Sequence, residues 1–282
     1  MAKHLHLNMI GTGPPLILLH GWGWNSLIWQ PLVPQLAERF QLFLIDLPGF
    51  GKSPLTANAY EIETLSHRLL ELVPQESLWL GWSLGGMIAW YIALQYPERV
   101  TGLITVASSP KFLSEKNWPG VCPTTLEKFS ERLAEHYEKT LQGFLELQLR
   151  GAPKQSAWVE ILQQPLMTAT SEDTLPALLG GLTLLRELDL RPRLTTMRCP
   201  SLHLFGRNDT LVPASVMEKI QPLLRYGQCS MIQRAGHMPF LSQPEVFLQK
   251  VWGFLGAASH SHGPACHPRE ACHPREGGDP LK

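Results

Sequence analysis

Leu78-Trp79-Leu80-Gly81-Trp82-Ser83-Leu84-Gly85-Gly86 is an apolar run that stops at a glycine-flanked serine, and a helical pattern from Met87 to Tyr96 follows it. Strand, tight turn and helix in that order put a side-chain oxygen over the end of a parallel sheet, with the next backbone N–H aimed at the same place. Gly81 and Gly85 flank the turn, where a Cβ would collide with the neighbouring strand or helix, and Gly86 adds a further point of close approach. Five residues of the form G-x-S-x-G also fit an ordinary glycine-rich βα turn, so the reading depends on what surrounds them.

Working outward, short apolar runs recur at Leu16–Leu19, Leu42–Ile45, Leu78–Leu80, Leu103–Val106 and Leu202–Phe205, each bounded by Gly, Pro, Asp or Ser. Most are apolar throughout rather than alternating, as in strands buried on both faces of a parallel sheet. Helical patterns lie between them at Leu32–Arg39, Ile62–Leu72 and Met87–Tyr96, the last stopped by Pro97. Alternation of this kind predicts an α/β fold with an open, mostly parallel, doubly wound sheet.

Composition fits one large α/β domain, or one core domain with an inserted subdomain: 282 residues, 44% hydrophobic and 17% charged. Lys plus Arg balance Asp plus Glu at 24 each, so no basic excess points to nucleic acid. No apolar run reaches the roughly 20 residues that span a bilayer, and Met1-Ala2-Lys3-His4-Leu5-His6 lacks the apolar core of a signal peptide. Five scattered cysteines form no evident disulfide framework, which predicts a reducing compartment, the cytoplasm. A monomer is expected.

Between about Lys111 and Asp189 the strands cease and helical patterns take over, at Thr125–Glu138, Gly143–Leu149, Ala157–Met167 and around Leu178–Leu188. An insertion there would sit over the C-terminal ends of the strands, where open α/β sheets bind ligands. The predicted organisation is therefore a core of residues 1–110 and 190–256, a helical cap of residues 111–189, and a tail of residues 257–282. In the tail, Ala265-Cys-His-Pro-Arg-Glu270 repeats as Ala271-Cys-His-Pro-Arg-Glu276. With almost no large apolar residue it reads as a disordered appendage. Its Cys-His pairs are soft-metal ligand types, but no metal and no cofactor is assigned.

A serine hydroxyl needs a histidine to take its proton and an acid to orient that histidine, and in this fold type they follow the serine in the order Ser…Asp/Glu…His. Asp209 follows the run Leu202–Phe205, and His237 follows a predicted strand at Cys229–Ile232, so both should emerge on the same sheet edge as Ser83. Singly, Asp209 is a turn or cap residue and His237 a loop histidine; as an ordered set with Ser83 they predict nucleophilic catalysis. Two backbone donors for an oxyanion are expected, Leu84 at the start of the elbow helix and Trp22 in the loop His20-Gly21-Trp22-Gly23-Trp24. His20 precedes the nucleophile and is read as a brace for that loop. Asp46-Leu-Pro-Gly-Phe-Gly-Lys-Ser53 fails the spacing of a phosphate loop, and Asp46 is read as bracing a turn at a strand end.

Together these motifs resemble the α/β-hydrolase superfamily. Leu18-Leu-His-Gly-Trp-Gly23, Asp46–Ser53, Leu80–Gly86, Asn117-Trp-Pro-Gly120, Val106-Ala-Ser-Ser-Pro110, Phe144-Leu-Glu-Leu-Gln148, Gly180-Gly-Leu182 and Asp189-Leu-Arg191 resemble, more narrowly, the biotin-pathway pimeloyl-[acyl-carrier-protein] methyl ester esterases. That resemblance runs from about Leu16 to Leu248. It implies a cofactor-free serine carboxylesterase that cleaves the methyl ester of a pimeloyl chain on acyl carrier protein. Ser83 would be acylated, His237 would be base and then acid, and Asp209 would orient His237. Trp22, Ser83, Leu84, His237 and the stretch Phe144, Leu145, Glu146, Leu147, Gln148 would bind substrate. Broad small-ester or carbon–carbon bond hydrolysis on the same scaffold is the alternative; a catalytically idle ligand-binding protein is another, although no triad member is missing. The family holds its acidic carrier with arginines on the cap. This cap offers Lys139 but Gly143, and Arg150 and Lys154 but then Ser156 and Glu160, among acids from Glu127 to Asp173. A uniformly acidic cap would repel the carrier; clustering of Arg132, Arg150 and Lys154 on the folded surface would restore an attraction.

Overall fold

The computed structural model describes residues 4–149 and 173–261, with side chains described to residue 256. The predicted helix at Ala157–Met167, the residues Arg150, Lys154, Ser156 and Glu160, and the repeated Cys-His segment lie outside the described residues.

Seven strands form one sheet: β1 (Leu7–Ile10), β2 (Pro15–Leu19), β3 (Gln41–Ile45), β4 (Ser77–Trp82), β5 (Val100–Val106), β6 (Ser201–Gly206) and β7 (Gly227–Ile232). Their spatial order is β1-β3-β2-β4-β5-β6-β7. All pairings are parallel except the edge pair, where β1 runs antiparallel to β3 with Leu7 opposite Ile45. Leu18, Leu80 and Ile104 sit in central strands and are wholly buried. Covered on both faces, such strands have no polar side to alternate, which is why the sequence reads as unbroken apolar runs.

The core helices are α1 (Val33–Ala37), α2 (Ile62–Glu71) and α3 (Leu84–Gln95) before the interruption, and α7 (Ser215–Ile220), α8 (Pro239–Ser242) and α9 (Pro244–Ser261) after it. Between β5 and β6 lie α4 (Pro123–Glu135), α5 (Tyr137–Gln148) and α6 (Thr174–Glu187), with isolated bridges Lys111↔Asp189, Leu113↔Val121 and Glu115↔Trp118 and no longer strand among the described residues. Among the described residues no helix is long and apolar enough to cross a membrane.

Two departures from the sequence reading matter for function. The helix starts at Leu84, where the oxyanion donor is expected and ahead of the pattern that begins at Met87, and β4 runs beyond Leu80 through Trp82, so Ser83 alone makes the turn. Its φ of 54° and ψ of −118° are strained for a residue with a side chain. The glycines make that sharpness possible. A Cβ on Gly81 would strike the Gly85 carbonyl oxygen, and one on Gly85 would lie 2.5 Å from the carbonyl oxygens of Leu19 and His20 at the end of β2. The second departure is that the helix expected over Thr125–Glu138 breaks at His136 (φ −136°, ψ 58°), so α4 and α5 form a hairpin.

Candidate active site

Each strand of the parallel sheet releases a loop at its C-terminal end, and the predicted residues meet there. Ser83 Oγ lies 3.0 Å from His237 Nε2, and His237 Nδ1 lies 2.8 Å from Asp209 Oδ2. A carboxylate can only accept, so Nδ1 carries the ring proton and Nε2 is free to accept from the serine hydroxyl. Asp209 is held in turn: its Oδ1 accepts the amides of Leu211 (2.8 Å) and Val212 (3.0 Å). All three side chains are buried.

Further contacts fix the nucleophile and the base. The Ser83 amide donates to Val106 O (2.9 Å), and Ser108 Oγ donates to Ser83 O (2.8 Å). Trp82, wholly buried one residue before the nucleophile, donates its indole N–H to the carbonyl of His237 (2.8 Å). The same indole packs against Trp24, Phe240 and the His237 ring, and leaves no room for a Cβ on Gly21, which would lie 2.7 Å from the ring. Sequence reading quoted Trp82 as part of the elbow but gave it no role, because the direction of a side-chain donor is set by tertiary packing.

The loop carrying Trp22 is braced from beneath. His20 Nδ1–H donates to Gly21 O (2.9 Å), and its Nε2 accepts the Leu47 amide (2.9 Å). Burial lowers the pKa of His20, against the opposing pull of Asp46 and the bond to Gly21, so the ring is neutral, as a group that both donates and accepts must be. Asp46 accepts the amides of Ser26 (2.8 Å) and Lys52 (3.0 Å), tying the end of β3 to the loop after β2. His20 braces the loop as the sequence predicts, and Asp46 braces the turn at the end of β3 and reaches the loop as well. Leu84 is the first residue of α3, and the first amides of a helix have no intrahelical acceptor. A developing negative charge beside Ser83 therefore meets both a free donor and the positive end of a helix dipole.

The helical segment contributes a wall. Trp22 Nε1 donates to Leu178 O on α6 (2.8 Å), and the Trp22 ring meets Phe144 edge-on at 5.0 Å and Phe129 at 5.5 Å. Gly181 sits so close to the Trp22 ring that a Cβ would come within 2.7 Å of it, and Gly180 sits as closely on Tyr60. The Gly180-Gly181 pair is thus where α6 seats on the core. Gln148 is buried and accepts the indole N–H of Trp24, and Leu145 is buried beside it on the helix. Glu146 is exposed and accepts from Gln142 Nε2 (3.3 Å), because one residue past Leu145 the helix has turned away from the core. Leu147 is half-buried and lines a groove between α4 and α5.

That groove changes the picture of an acidic cap. Lys128, Arg132, His136 and Lys139 line it together with Phe129 and Phe144, whereas Glu127 and Glu131 face a separate hollow between α4 and α6. Spacings of four residues stack Lys128, Arg132 and His136 along one side of α4 and Glu127 and Glu131 along another, the acids facing Arg186 of α6 across their hollow. Arg132 does join other basic groups; Arg150 and Lys154 lie outside the described residues. Among the described residues no group of three or more His, Cys, Asp or Glu is placed to hold a metal ion.

Comparison with known proteins identifies the family. A family model described as alpha/beta hydrolase fold matches residues 14–244. The chain is 39% identical over 256 residues, 91% of this chain and 100% of the relative, to the pimeloyl-[acyl-carrier protein] methyl ester esterase of Vibrio vulnificus (strain CMCP6). It is 41% identical over 249 residues to the esterase of the same name from Edwardsiella ictaluri (strain 93-146), covering 86% of this chain and 94% of the relative. Among solved structures it resembles a hydrolase from Pseudomonas aeruginosa (TM-score 0.75, 26% identity, 89% and 94% of the two chains). In fold it also resembles the esterase EaEST of Exiguobacterium antarcticum (TM-score 0.80, 23% identity, 89% and 95%). The chain belongs to the alpha/beta hydrolase fold family and, within it, to the family of the pimeloyl-[acyl-carrier protein] methyl ester esterases.

Proposed function

We propose that the chain is a serine carboxylesterase that hydrolyses the methyl ester of pimeloyl-[acyl-carrier protein], freeing the pimeloyl carboxylate and methanol in biotin biosynthesis. The observation that carries this reading is the hydrogen-bonded series Ser83–His237–Asp209. It occurs in a chain aligned over the full length of a relative with that name.

The mechanism follows from the distances. His237 Nε2, 3.0 Å from Ser83 Oγ, takes the hydroxyl proton as the oxygen attacks the ester carbonyl. The carbonyl oxygen becomes an oxyanion that the amides of Leu84 and Trp22 stabilise. Collapse of the tetrahedral intermediate expels methoxide, which leaves as methanol with the proton from His237, and the acyl group stays on Ser83. A water molecule, deprotonated by His237, then attacks the acyl-enzyme and releases the carboxylate and the free serine. Throughout, Asp209 fixes the ring and balances the imidazolium charge. No cofactor takes part, and the enzyme acts as a cytoplasmic monomer.

Residues 111–189 serve as a lid over this site, on a core of residues 1–110 and 190–256. Trp22, Phe144 and Leu145 give the acyl chain an apolar path to Ser83, while Gln148 fixes Trp24. The basic groove of Lys128, Arg132 and Lys139, which Phe144 also lines, offers the acidic carrier a complementary surface beside that path.

The test is hydrolysis of pimeloyl-carrier-protein methyl ester beside free dimethyl pimelate and p-nitrophenyl esters, with Ser83→Ala as control. Preferred cleavage of the carrier-bound ester is expected, abolished by the substitution. Cleavage of free esters alone would replace this reading with a general esterase.

A further inference from the structure

Two stretches remain that the catalytic reading does not use, Asn117-Trp118-Pro119-Gly120 and Asp189-Leu190-Arg191, and they meet in space. The helical segment joins the core through two chain passages, at Pro110–Lys111 and at Asp189–Leu190. Lys111 pairs antiparallel with Asp189, and the Leu190 amide donates to Pro110 O (2.9 Å). Around this double passage four charges alternate. Arg191 grips Asp189 with two bonds, Nε to Oδ1 at 2.8 Å and Nη2 to Oδ2 at 2.6 Å, and reaches Glu115 Oε2 at 2.9 Å. Lys111 Nζ completes the circuit to Glu115 Oε1 (2.8 Å) and Asp189 Oδ2 (3.4 Å). The Arg191 guanidinium lies over the Trp118 ring, 5.0 Å from its centroid, and Trp118 Nε1 donates to Lys111 O (2.9 Å). Gly120 lets the intervening loop close, since a Cβ there would lie 2.9 Å from the backbone of Leu113 and Ser114.

An ordinary surface ion pair contributes little. This network differs in three respects. It links both passages at once, it uses the two-pronged geometry special to arginine, and its charged members other than Glu115 are half-buried, with Trp118 buried beneath Arg191. Neighbouring contacts lead from it to the active site in both directions. Three residues before Lys111, Ser108 holds the carbonyl of Ser83, and Ala107 before it has a strained φ of 46°. Just ahead of Asp189, α6 carries Leu178, whose carbonyl holds the Trp22 indole.

We infer that Lys111, Glu115, Trp118, Asp189 and Arg191 form a clasp at the base of the lid, with Arg191 as the positioning residue that sets how the lid wall stands over Ser83. This rests on the esterase and lid reading above. A long acyl ester must touch both the catalytic core and the lid wall, whereas an acetyl ester reaches Ser83 without spanning the two. Loosening the clasp should therefore act on the long substrate selectively.

The experiment compares wild type, Arg191→Ala and Arg191→Lys on dimethyl pimelate and on p-nitrophenyl acetate, with thermal melting in parallel. Arg191→Ala should raise KM for dimethyl pimelate about tenfold, within what a misplacement of about 1 Å can cost, and leave p-nitrophenyl acetate turnover within about twofold. Arg191→Lys keeps the charge but not the fork and should recover part of the loss. Amide hydrogen exchange supplies a readout independent of any ester: residues 137–148 should exchange faster in Arg191→Ala, and residues 84–95 should not. An equal loss on both esters, or unchanged exchange in residues 137–148, would overturn the clasp. Failure of wild type to cleave either ester would instead overturn the esterase reading, and the exchange result would still decide the clasp.

Discussion

Trp82→Phe isolates one bond that the chemistry should feel. The indole N–H of Trp82 is the donor to the backbone carbonyl of His237, 2.8 Å away, and both residues are buried. Phenylalanine keeps an aromatic ring against Trp24 and Phe240 but removes the donor. Leaving a buried acceptor unpaired costs about 1–3 kcal/mol. The His237 backbone can avoid that penalty by rotating its carbonyl toward another donor, and the imidazole then leaves its line between Asp209 and Ser83. If the whole penalty falls on the transition state, kcat drops by about 5- to 150-fold, at RT of about 0.59 kcal/mol. KM should change little, because the bond touches no substrate atom. The assay is steady-state hydrolysis of a p-nitrophenyl ester across pH, with urea denaturation of both proteins. A kcat within twofold of wild type, together with the full stability loss in urea, would refute the reasoning: the bond would then support the fold and leave the base where it was.

If the groove between α4 and α5 docks the acidic carrier as proposed, charge reversal by Arg132→Glu with Lys139→Glu should raise KM for the carrier-bound ester and weaken its salt dependence while p-nitrophenyl esters are cleaved as before. Asp46→Asn turns an amide group toward one of the two backbone N–H donors that the carboxylate now accepts; it should cost about 1–3 kcal/mol in chemical denaturation and lower kcat through the loop that carries Trp22. His203, buried between Thr105 and Ser201, has its pKa pushed down to about 3 by desolvation from an ordinary 6.5, so the folded protein holds it neutral and the unfolded chain protonates it. Its contribution is complete above pH 6.5 and is lost as pH falls toward 3, at about 1.4 kcal/mol per pH unit; in urea titrations from pH 6.5 to 4.5, His203→Gln should show a slope against pH shallower by about that amount.

What the sequence discloses depends on whether a residue's environment is set by near neighbours or by distant ones. The strands at Leu16–Leu19 and Leu42–Ile45 are legible because burial on both faces demands unbroken apolar residues. β1 is not. Its four residues include a polar Asn8 and a Met9 that is 58% exposed, and it is a strand only because β3 offers an edge to pair with. The break between α4 and α5 carries no proline or glycine, and His136 adopts its conformation because two amphipathic helices must fold back to bury Leu133 and Leu141. Glu146 parts from its buried neighbours Leu145 and Gln148 for a simpler reason: the helical turn sends every third or fourth residue one way and the rest another.

The site itself was legible because topology does the assembling. β4, β5, β6 and β7 are parallel neighbours, so every chain leaves the sheet at the same edge. Ser83 follows the last residue of β4 directly, Asp209 lies three residues past the end of β6, and His237 five past the end of β7. Strands lie about 4.8 Å apart, so three strand steps from β7 back to β4 span about 14 Å, and five extended residues reach at most about 17 Å. A histidine much nearer to β7 could not arrive at the serine, and an aspartate much farther from β6 would not meet the histidine on its way. The increasing spacings from β4 to β7 thus follow from the distance each residue must travel to one point. β5 lies between them and contributes in the same manner: its exit carries Ser108, two residues past the strand, to the carbonyl of Ser83. Order and spacing along the chain therefore carry the active site, while the donors that hold it rigid, Trp82 above all, become visible only when the sheet is closed.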